Sequence, residues 1–229
     1  MSEYIKDIKQ SLLRERLSAF IKLTPGIVHN LSNPLTVIVT RAQLLQLKMP
    51  EISDLKKMID QSKTIEAILN NLVFISQNIS NDELQQIDIN SLVKNETEFL
   101  KADPFFKHNV TKEFQYYPGL LMTTSSYFHI STLLFCIMQI LLVHLKSSAE
   151  KEIRIKTDKT SDSVIIRIIS DVLKPSEFQN ILSSTPSISE DPYVQNLYNA
   201  SLLAKELEIT LMINSNPTST EFTISIPKK

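Results

Sequence analysis

Glycine is nearly absent from this chain: only Gly26 and Gly119 occur among its 229 residues. A glycine-rich loop can bind phosphate because no Cβ prevents its backbone N–H groups from approaching the ligand. Two isolated glycines cannot build a loop of that kind. The sequence therefore argues strongly against every class of nucleotide-binding protein that depends on one.

The composition is that of a folded protein in a reducing compartment. Hydrophobic residues make up 42% of the chain, which is enough to fill real cores. The formal charge of -1 gives no general electrostatic reason to bind nucleic acid or an anionic membrane. The single cysteine, Cys136, cannot form an internal disulfide, and the charged start MSEYIKDIKQ is unlike a signal peptide. We expect a cytoplasmic protein in which the apolar run 130–145 is a buried helix and does not span a membrane.

Residues from about 8 to 80 have a helical period. The first helix is expected to break at Thr24-Pro25-Gly26, where Thr24 would cap a new helix. Beyond the break, apolar residues at spacings of three and four predict one stripe, made of Ile27, Leu31, Leu35, Ile38, Ala42 and Leu45. A turn containing Pro50 leads to a second helix over about 54–78, with Ser53 as its cap. Its expected seam consists of Leu55, Met58, Ser62, Ile65, Leu69 and Leu72.

Two such helices joined by a short turn form an antiparallel hairpin. A lone hairpin buries only one side of each helix, so a homodimeric four-helix bundle is the simplest way to cover the rest. The alternative is an ordinary helical hairpin that packs on its own C-terminal half. We place the boundary of this helical domain at residue 82.

The remainder, residues 83–229, alternates helices and strands. Helices are predicted over 90–101, along the apolar run, near Pro175 and over 196–207, and the stretch 183–195 is predicted to be a loop. Strands are predicted at 109–115, 152–157, 163–170, 209–214 and 221–227. This order indicates an α/β sandwich with one layer of each kind, so the whole chain is an α domain followed by an α/β domain.

His29 is the residue with the clearest chemical potential. At about 100° per residue, its side chain lies about 200° from both Ile27 and Leu31, away from the apolar stripe. Asn33, Thr36 and Thr40 fall within about 40° of the same direction. Pro34 predicts a bend beside them. An exposed imidazole can act as a nucleophile, a general base or a metal ligand, but geometry alone equally allows a solvated surface histidine.

The run GIVHNLSNPLTVIVTRAQLL (26–45) resembles the H-box of histidine kinases, whose typical form is H-E-x-x-N-P-L followed by A-Q-L-L. Three later segments resemble, in order, the interdomain linker, the start of the catalytic domain and its last strand: 87–93, 103–110 and 219–227. The resemblance implies a Bergerat-type (GHKL ATPase-like) sandwich after a dimerisation domain. It also implies that His29 accepts a phosphoryl group and that Asn33 assists removal of phosphate from a receiver domain.

Several positions depart from the family pattern. Asn30 stands where an acid normally prepares the histidine for attack on ATP, and an amide cannot accept that proton. Val143 stands where an asparagine would hold magnesium, with His144 next to it. Asp171, which would read adenine, is present, but the glycines expected after it and those expected over 196–201 are missing. The sequence therefore predicts that no nucleotide cofactor binds. His108, His129 and His144 lack ligand spacing, so no metal site is predicted.

Three functions remain open at this stage. The first is a histidine-containing phosphotransferase that moves phosphoryl groups between receiver aspartates through His29, with magnesium supplied by the receiver. The second is a non-catalytic pseudokinase scaffold, or a receiver phosphatase that uses Asn33. The third and weakest is a divergent kinase that still uses ATP. Response-regulator receiver domains are the expected partners, a hybrid histidine kinase is a further candidate, and no nucleic acid or membrane partner is expected.

Overall fold

The structure is a computed structural model that describes residues 2–79, 81–149, 151–170, 191–215 and 219–228, with side chains from residue 20 onward. The chain divides into two compact units, Met1–Ser80 and Asn81–Lys229. The first unit is helical and the second contains both helices and sheets.

The first unit is a helical hairpin. Helix α1 spans Ser2–Lys48 and helix α2 spans Ser53–Asn78. At about 1.5 Å per residue these helices are about 70 Å and 39 Å long. Because α1 is so much longer, its N-terminal part extends past the end of α2.

The predicted break at Thr24-Pro25-Gly26 is wrong, since α1 is continuous through it. The Thr24 hydroxyl donates to the carbonyl oxygen of Phe20 at 2.9 Å, within the helix, so it does not cap a new one. Pro25 removes one backbone hydrogen bond, and the turns on either side remain helical. The prediction that Ser53 caps α2 is also wrong. Ser53 is the first helical residue, and Ile52 occupies the N-cap position without a side-chain hydrogen bond.

The predicted apolar stripe of α1 divides between two surfaces. Ala42 is buried and Leu35 is half-buried, and Val28, which was not in the predicted stripe, continues this row at intervals of seven residues and is also buried. Helix α2 buries Leu55, Ser62 and Leu69 at the same interval, together with Ile59. These two faces form the seam of the hairpin, because packed antiparallel helices contact each other through side chains that recur at the same seven-residue interval on both helices. Apolar side chains beside that seam are about half exposed: Ile27, Leu31, Ile38 and Leu45 on α1, and Met58 and Ile65 on α2.

The second unit begins with β1 Leu84–Asp88 and continues with α3 Ile89–Leu100, α4 Pro104–Asn109, β2 Thr111–Gln115, β3 Met122–Ser126, α5 Tyr127–Ser147, β4 Glu152–Lys159, β5 Ser163–Ser170, α6 Pro192–Lys205, β6 Thr210–Ser215 and β7 Thr220–Pro227. The larger sheet has the strand order β2-β4-β5-β7-β6. Strand β2 is parallel to β4, and the other neighbours are antiparallel. A smaller antiparallel ladder joins β1 to β3.

The sheet and the helices form an α/β sandwich. Alternate residues of the sheet, including Ile155, Ile166 and Ile224, are fully or almost fully buried. The intervening positions are more polar, and Arg167 contacts Asp158 and Glu221 there at 3.8 and 3.7 Å. One face of the sheet therefore carries the helical layer, as the alternation of the strands requires.

Helix α5 is the centre of this core. Twelve of its 21 residues are buried, including Leu133, Ile137 and Leu141. It is also the one helix in the described part of the chain that is long and apolar enough to cross a membrane. The most apolar 18-residue stretch of this helix is 61% buried inside the unit, which is typical of the core helix of a sandwich.

The sequence missed the short elements of the second unit. Strands β1 and β3 and helix α4 were not predicted, and α6 begins at Pro192, within the predicted loop. Asp191 caps α6 by accepting a hydrogen bond from the N–H of Tyr193 at 2.8 Å. Pro192 follows at the first helical position, where it costs no hydrogen bond. The helix expected near Pro175, and most of the expected loop, lie outside the described residues.

Candidate functional site

His29 lies in the middle of the long helix α1 and is exposed. The preceding residue, Val28, is in the buried seam, so the imidazole is turned away from the hairpin core. Within the described residues, no side-chain hydrogen bond or ion pair engages His29. Both ring nitrogens are therefore open to solvent or to a partner.

Polar residues continue along the helix from His29. Asn33 is exposed and lies one turn away, about 6 Å along the helix axis. Thr36 and Thr40 are also exposed, but their hydroxyls donate to the carbonyl oxygens of Ser32 and Thr36 at 2.9 and 2.8 Å. His29 and Asn33 are therefore the members of this row whose hydrogen-bonding donors are not used inside the helix.

The residues beside His29 also alter its surroundings. Asn30 is exposed and offers an uncharged amide next to the imidazole. Pro34 lies inside the helix and has no N–H, so the carbonyl oxygen of Asn30 lacks its usual helical donor. This leaves one backbone acceptor open close to His29.

In the second unit, Val143, which stands where the resemblance places the magnesium-binding asparagine, lies on α5 and is 38% exposed. The side chain of Val143 is aliphatic and offers no oxygen to a hard cation. His144, the alternative position for the magnesium ligand, already has a hydrogen-bond partner: its Nδ1 lies 2.9 Å from the carbonyl oxygen of Ile140.

The segment 196–201, where a glycine-rich loop would be expected, is the middle of helix α6. Backbone N–H groups in the middle of a helix bond to carbonyl oxygens four residues earlier and cannot bind phosphate. Leu197, Ala200 and Ser201 are buried. At the start of the helix, Asp191 places a carboxylate where an anion would otherwise bind. Asp171 lies outside the described residues.

The other histidines and the cysteine have structural surroundings. Nδ1 of His129 lies 2.8 Å from the hydroxyl of Ser126, which caps α5. His108 is exposed near the end of α4. Cys136 is half-buried, and burial raises the pKa of its thiol to about 11. Among the residues that the structure describes, no group of three His, Cys, Asp or Glu side chains is placed to hold a metal ion.

A buried acid in the second unit was not anticipated. Glu96 on α3 is 6% exposed, and its Oε1 accepts a hydrogen bond of 2.7 Å from the hydroxyl of Tyr127. Burial raises the pKa of Glu96 to about 7, although the hydrogen bond from Tyr127 acts in the opposite direction. Burial also raises the pKa of Tyr127, as does the nearby carboxylate. Because Glu and Tyr lie 31 positions apart in different helices, no spacing in the sequence predicts their pairing.

A buried amide organises the loop after β2. The amide nitrogen of Asn90 donates to the carbonyl oxygens of Tyr117 and Gly119 at 2.9 and 3.0 Å. Its oxygen accepts from the hydroxyl of Thr157 at 2.5 Å. Gly119 has φ of 95°, a backbone conformation that suits glycine. This network joins the start of α3 to the loop and to β4.

Among the comparisons with known proteins, only the one with solved structures found matches. No known family profile matches the sequence. No curated protein matches it either. The crystal structure of histidine kinase ThkA in complex with response regulator protein TrrA aligns with 100% of this chain and 68% of that chain, at 18% identity and a TM-score of 0.51. The nucleotide-free catalytic domain of ThkA aligns with 64% of this chain and 96% of that one, at 16% identity and a TM-score of 0.52.

Full-length ShkA in complex with AMPPNP is a further match, at 12% identity and a TM-score of 0.53. The alignment covers 90% of this chain but 45% of ShkA, so the chain spans less than half of that protein. All these identities are low, and the likeness is one of fold. The α/β unit of this chain is a sandwich like the ATPase domain of histidine kinases.

Proposed function

We propose that this protein is a histidine-containing phosphotransferase of a two-component phosphorelay, with His29 as the phosphoacceptor. The observation that carries the proposal is the exposed and unengaged imidazole on α1 of a histidine kinase-like fold. The same fold has a capped helix where a phosphate-binding loop would be expected. This combination suits a protein that receives phosphoryl groups from other proteins and does not take them from ATP.

The proposed reaction is a transfer between two side chains. A ring nitrogen of His29 attacks the phosphorus atom of an aspartyl phosphate on a receiver domain. The N–P bond forms as the P–O bond to the aspartate breaks, and the aspartate leaves as a carboxylate. The reverse step passes the phosphoryl group to a second receiver. The receiver supplies Mg²⁺ and an acidic pocket, so α1 needs only to present the imidazole in the correct geometry.

The surroundings of Asn30 and α6 support transfer without ATP. The amide of Asn30 cannot act as the base that autophosphorylation would need. Phosphates would meet the carboxylate of Asp191 and helical N–H groups that are already bonded. No nucleotide cofactor is therefore part of the proposal. A nucleotide-dependent rise in melting temperature would contradict this point and favour a divergent kinase.

The exposed apolar residues beside the hairpin seam support a homodimer. Ile27, Leu31, Ile38 and Leu45 lie on α1, with Met58 and Ile65 on α2. Each half-exposed side chain of this size gains roughly 1 kcal/mol when it is covered completely. Two copies of the hairpin would cover these residues in a four-helix bundle, the arrangement in which a hairpin most simply buries both of its apolar faces.

Response-regulator receiver domains are the proposed partners. One matching structure contains a histidine kinase in complex with a response regulator, and that match covers both units of this chain. A hybrid histidine kinase that carries its own receiver is a suitable phosphoryl donor.

A second candidate function rests on Asn33. Its amide is exposed, one turn from His29, and has no side-chain partner in the part of the chain that the structure describes. Such an amide can orient a water molecule towards a receiver's phosphoryl group. The protein would then be a receiver phosphatase or a receiver-binding scaffold, and His29 would carry no phosphoryl group.

The decisive experiment is back-transfer from radiolabelled phosphorylated receiver domains to the full chain. We expect acid-labile label on the wild-type protein, none on His29→Gln, and normal labelling of His108→Gln, which changes another exposed histidine. If every receiver keeps its phosphate and the protein stays unlabelled, the phosphotransferase proposal is wrong. Loss of receiver phosphate without labelling, abolished by Asn33→Ala, would establish the phosphatase instead.

A further inference from the structure

Lysines and aromatic rings are concentrated at one corner of the second unit, around helix α4. Lys146, in the last turn of α5, and Lys151, just before β4, lie 5.8 and 5.5 Å from the ring centre of Phe105. Lys112, on β2, lies 4.9 Å from the ring of Phe106. We call these five residues the Phe105 cluster. They come from four separate segments of the chain, so the fold and not the sequence brings them together.

The backbone holds the cluster in place. The N–H of Thr111, next to Lys112, donates to the carbonyl oxygen of Lys151 at 2.8 Å. The ammonium of Lys112 donates to the carbonyl oxygens of Phe106 and Lys107 at 2.6 and 3.0 Å, at the end of α4. Phe106 is completely buried beneath, and Phe105 is half-buried at the surface. The lysines are therefore positioned around a fixed aromatic platform.

Nearby carboxylates are already engaged. Glu98 pairs with Lys101, and Glu152 contacts Arg154 at 3.8 Å. The carboxylate of Asp103 accepts hydrogen bonds from the N–H groups of Phe105 and Phe106 at 2.7 and 3.2 Å. Across the described residues, neither Lys146 nor Lys151 has an ion pair. Burial lowers the pKa of Lys112, with a further contribution from the positive charge of Lys101. Among the described residues, the cluster is therefore a concentration of positive charge in which no carboxylate is paired with Lys146 or Lys151.

We propose that the Phe105 cluster is a docking surface for an acidic segment of a partner protein, independent of the phosphotransfer at His29. Its ammonium groups lie over the rings of two consecutive residues, Phe105 and Phe106, which suits carboxylates spaced along a chain. The exposed part of Phe105 offers an apolar contact for a side chain between them. Acidic residues outnumber basic ones in residues 81–229 as a whole, so the positive charge is local. A local patch suits a short acidic segment better than nucleic acid or an anionic membrane, whose negative charge extends well beyond it.

The test is binding of a fluorescent peptide with two glutamate pairs around one phenylalanine, measured by anisotropy on the full chain. We expect binding that weakens with salt and falls about tenfold or more in the double variant Lys146→Gln/Lys151→Gln, because two charge-assisted contacts are lost. The matched control is Lys63→Gln/Lys205→Gln, which removes the same charge from exposed sites elsewhere. It should bind like the wild type. Circular dichroism would verify that both variants are folded.

Three results would overturn the proposal. One is absence of peptide binding at millimolar concentration. Another is equal weakening by the two double variants, which would mean that general charge and not the cluster attracts the peptide. The third is tighter, Lys146- and Lys151-dependent binding to short oligothymidylate or to vesicles containing phosphatidylserine, which would assign the surface to a different class of partner. All of these outcomes are separate from labelling of His29.

Discussion

The buried pair formed by Glu96 and Tyr127 makes the stability of this protein depend on pH near neutrality. The Glu96 carboxyl is 6% exposed, and its one described hydrogen bond comes from the Tyr127 hydroxyl at 2.7 Å. Burial in this position favours the neutral acid and raises its pKa to about 7. The change Glu96→Gln keeps the size and the acceptor of the side chain but removes the proton equilibrium.

The direction and size of the effect follow from the two pKa values. Raising the pKa from its usual 4.5 to about 7 corresponds to a preference for the neutral form of about 3 kcal/mol in the folded chain. That stabilisation is fully present below the unfolded pKa and is lost as the pH rises through about 7. Between about pH 5 and about pH 8, the free energy of unfolding should therefore fall by about 2–3 kcal/mol because of this residue.

Urea unfolding followed by circular dichroism at several pH values would measure the effect, and hydrogen exchange of α3 and α5 would locate it. Glu96→Gln should lack the loss that the wild type shows between about pH 5 and about pH 8. The matched control is Glu98→Gln, which changes an exposed glutamate on the same helix and should keep the wild-type pH dependence. Parallel stability curves for the wild type and Glu96→Gln would refute the reasoning, since Glu96 would then be ionised at no cost.

Two further predictions concern the helices. Ile38→Asp places a charge among the exposed apolar residues of the hairpin, so the proposed dimer should dissociate at micromolar concentration, as measured by size-exclusion chromatography with light scattering. The control Gln43→Asp should remain dimeric. A monomeric wild-type protein would contradict the four-helix bundle. Asp191→Ala removes the N-cap of α6 and should lower the free energy of unfolding by about 1 kcal/mol in urea titrations, whereas Asp191→Asn, which keeps an acceptor, should stay within a few tenths of the wild type.

Long periodic segments made much of the architecture predictable. The strand 163–170 was predicted with its observed bounds because apolar and β-branched residues dominate it. The apolar run 130–145 was correctly assigned to a buried helix, since Gln139 and His144 within it argued for a protein environment. The α/β sandwich followed from the order of these elements.

Short elements and competing local signals were harder to predict. Thr24-Pro25-Gly26 has the chemistry of a helix start, yet packing along the hairpin keeps α1 continuous there. Strand β3 contains Thr123, Thr124, Ser125 and Ser126, whose polarity hides its pairing with β1. The exposure of His29 was predicted from helical geometry, whereas its chemical role stays a prediction. The Glu96–Tyr127 pair depends on contacts between distant segments, which local patterns do not encode.

The position of β7 has a consequence for the synthesis of this protein. Strand β7 is made after both β5 and β6, yet it lies between them in the larger sheet, which covers α5. At about 5–20 residues per second, the ribosome needs roughly 4–16 s to proceed from Ser147 to Pro227. During that interval α5, the most apolar helix in the described part of the chain, lacks the strand that completes its cover. Chains that terminate before β7 should therefore leave α5 partly uncovered and be recognised by chaperones and proteases.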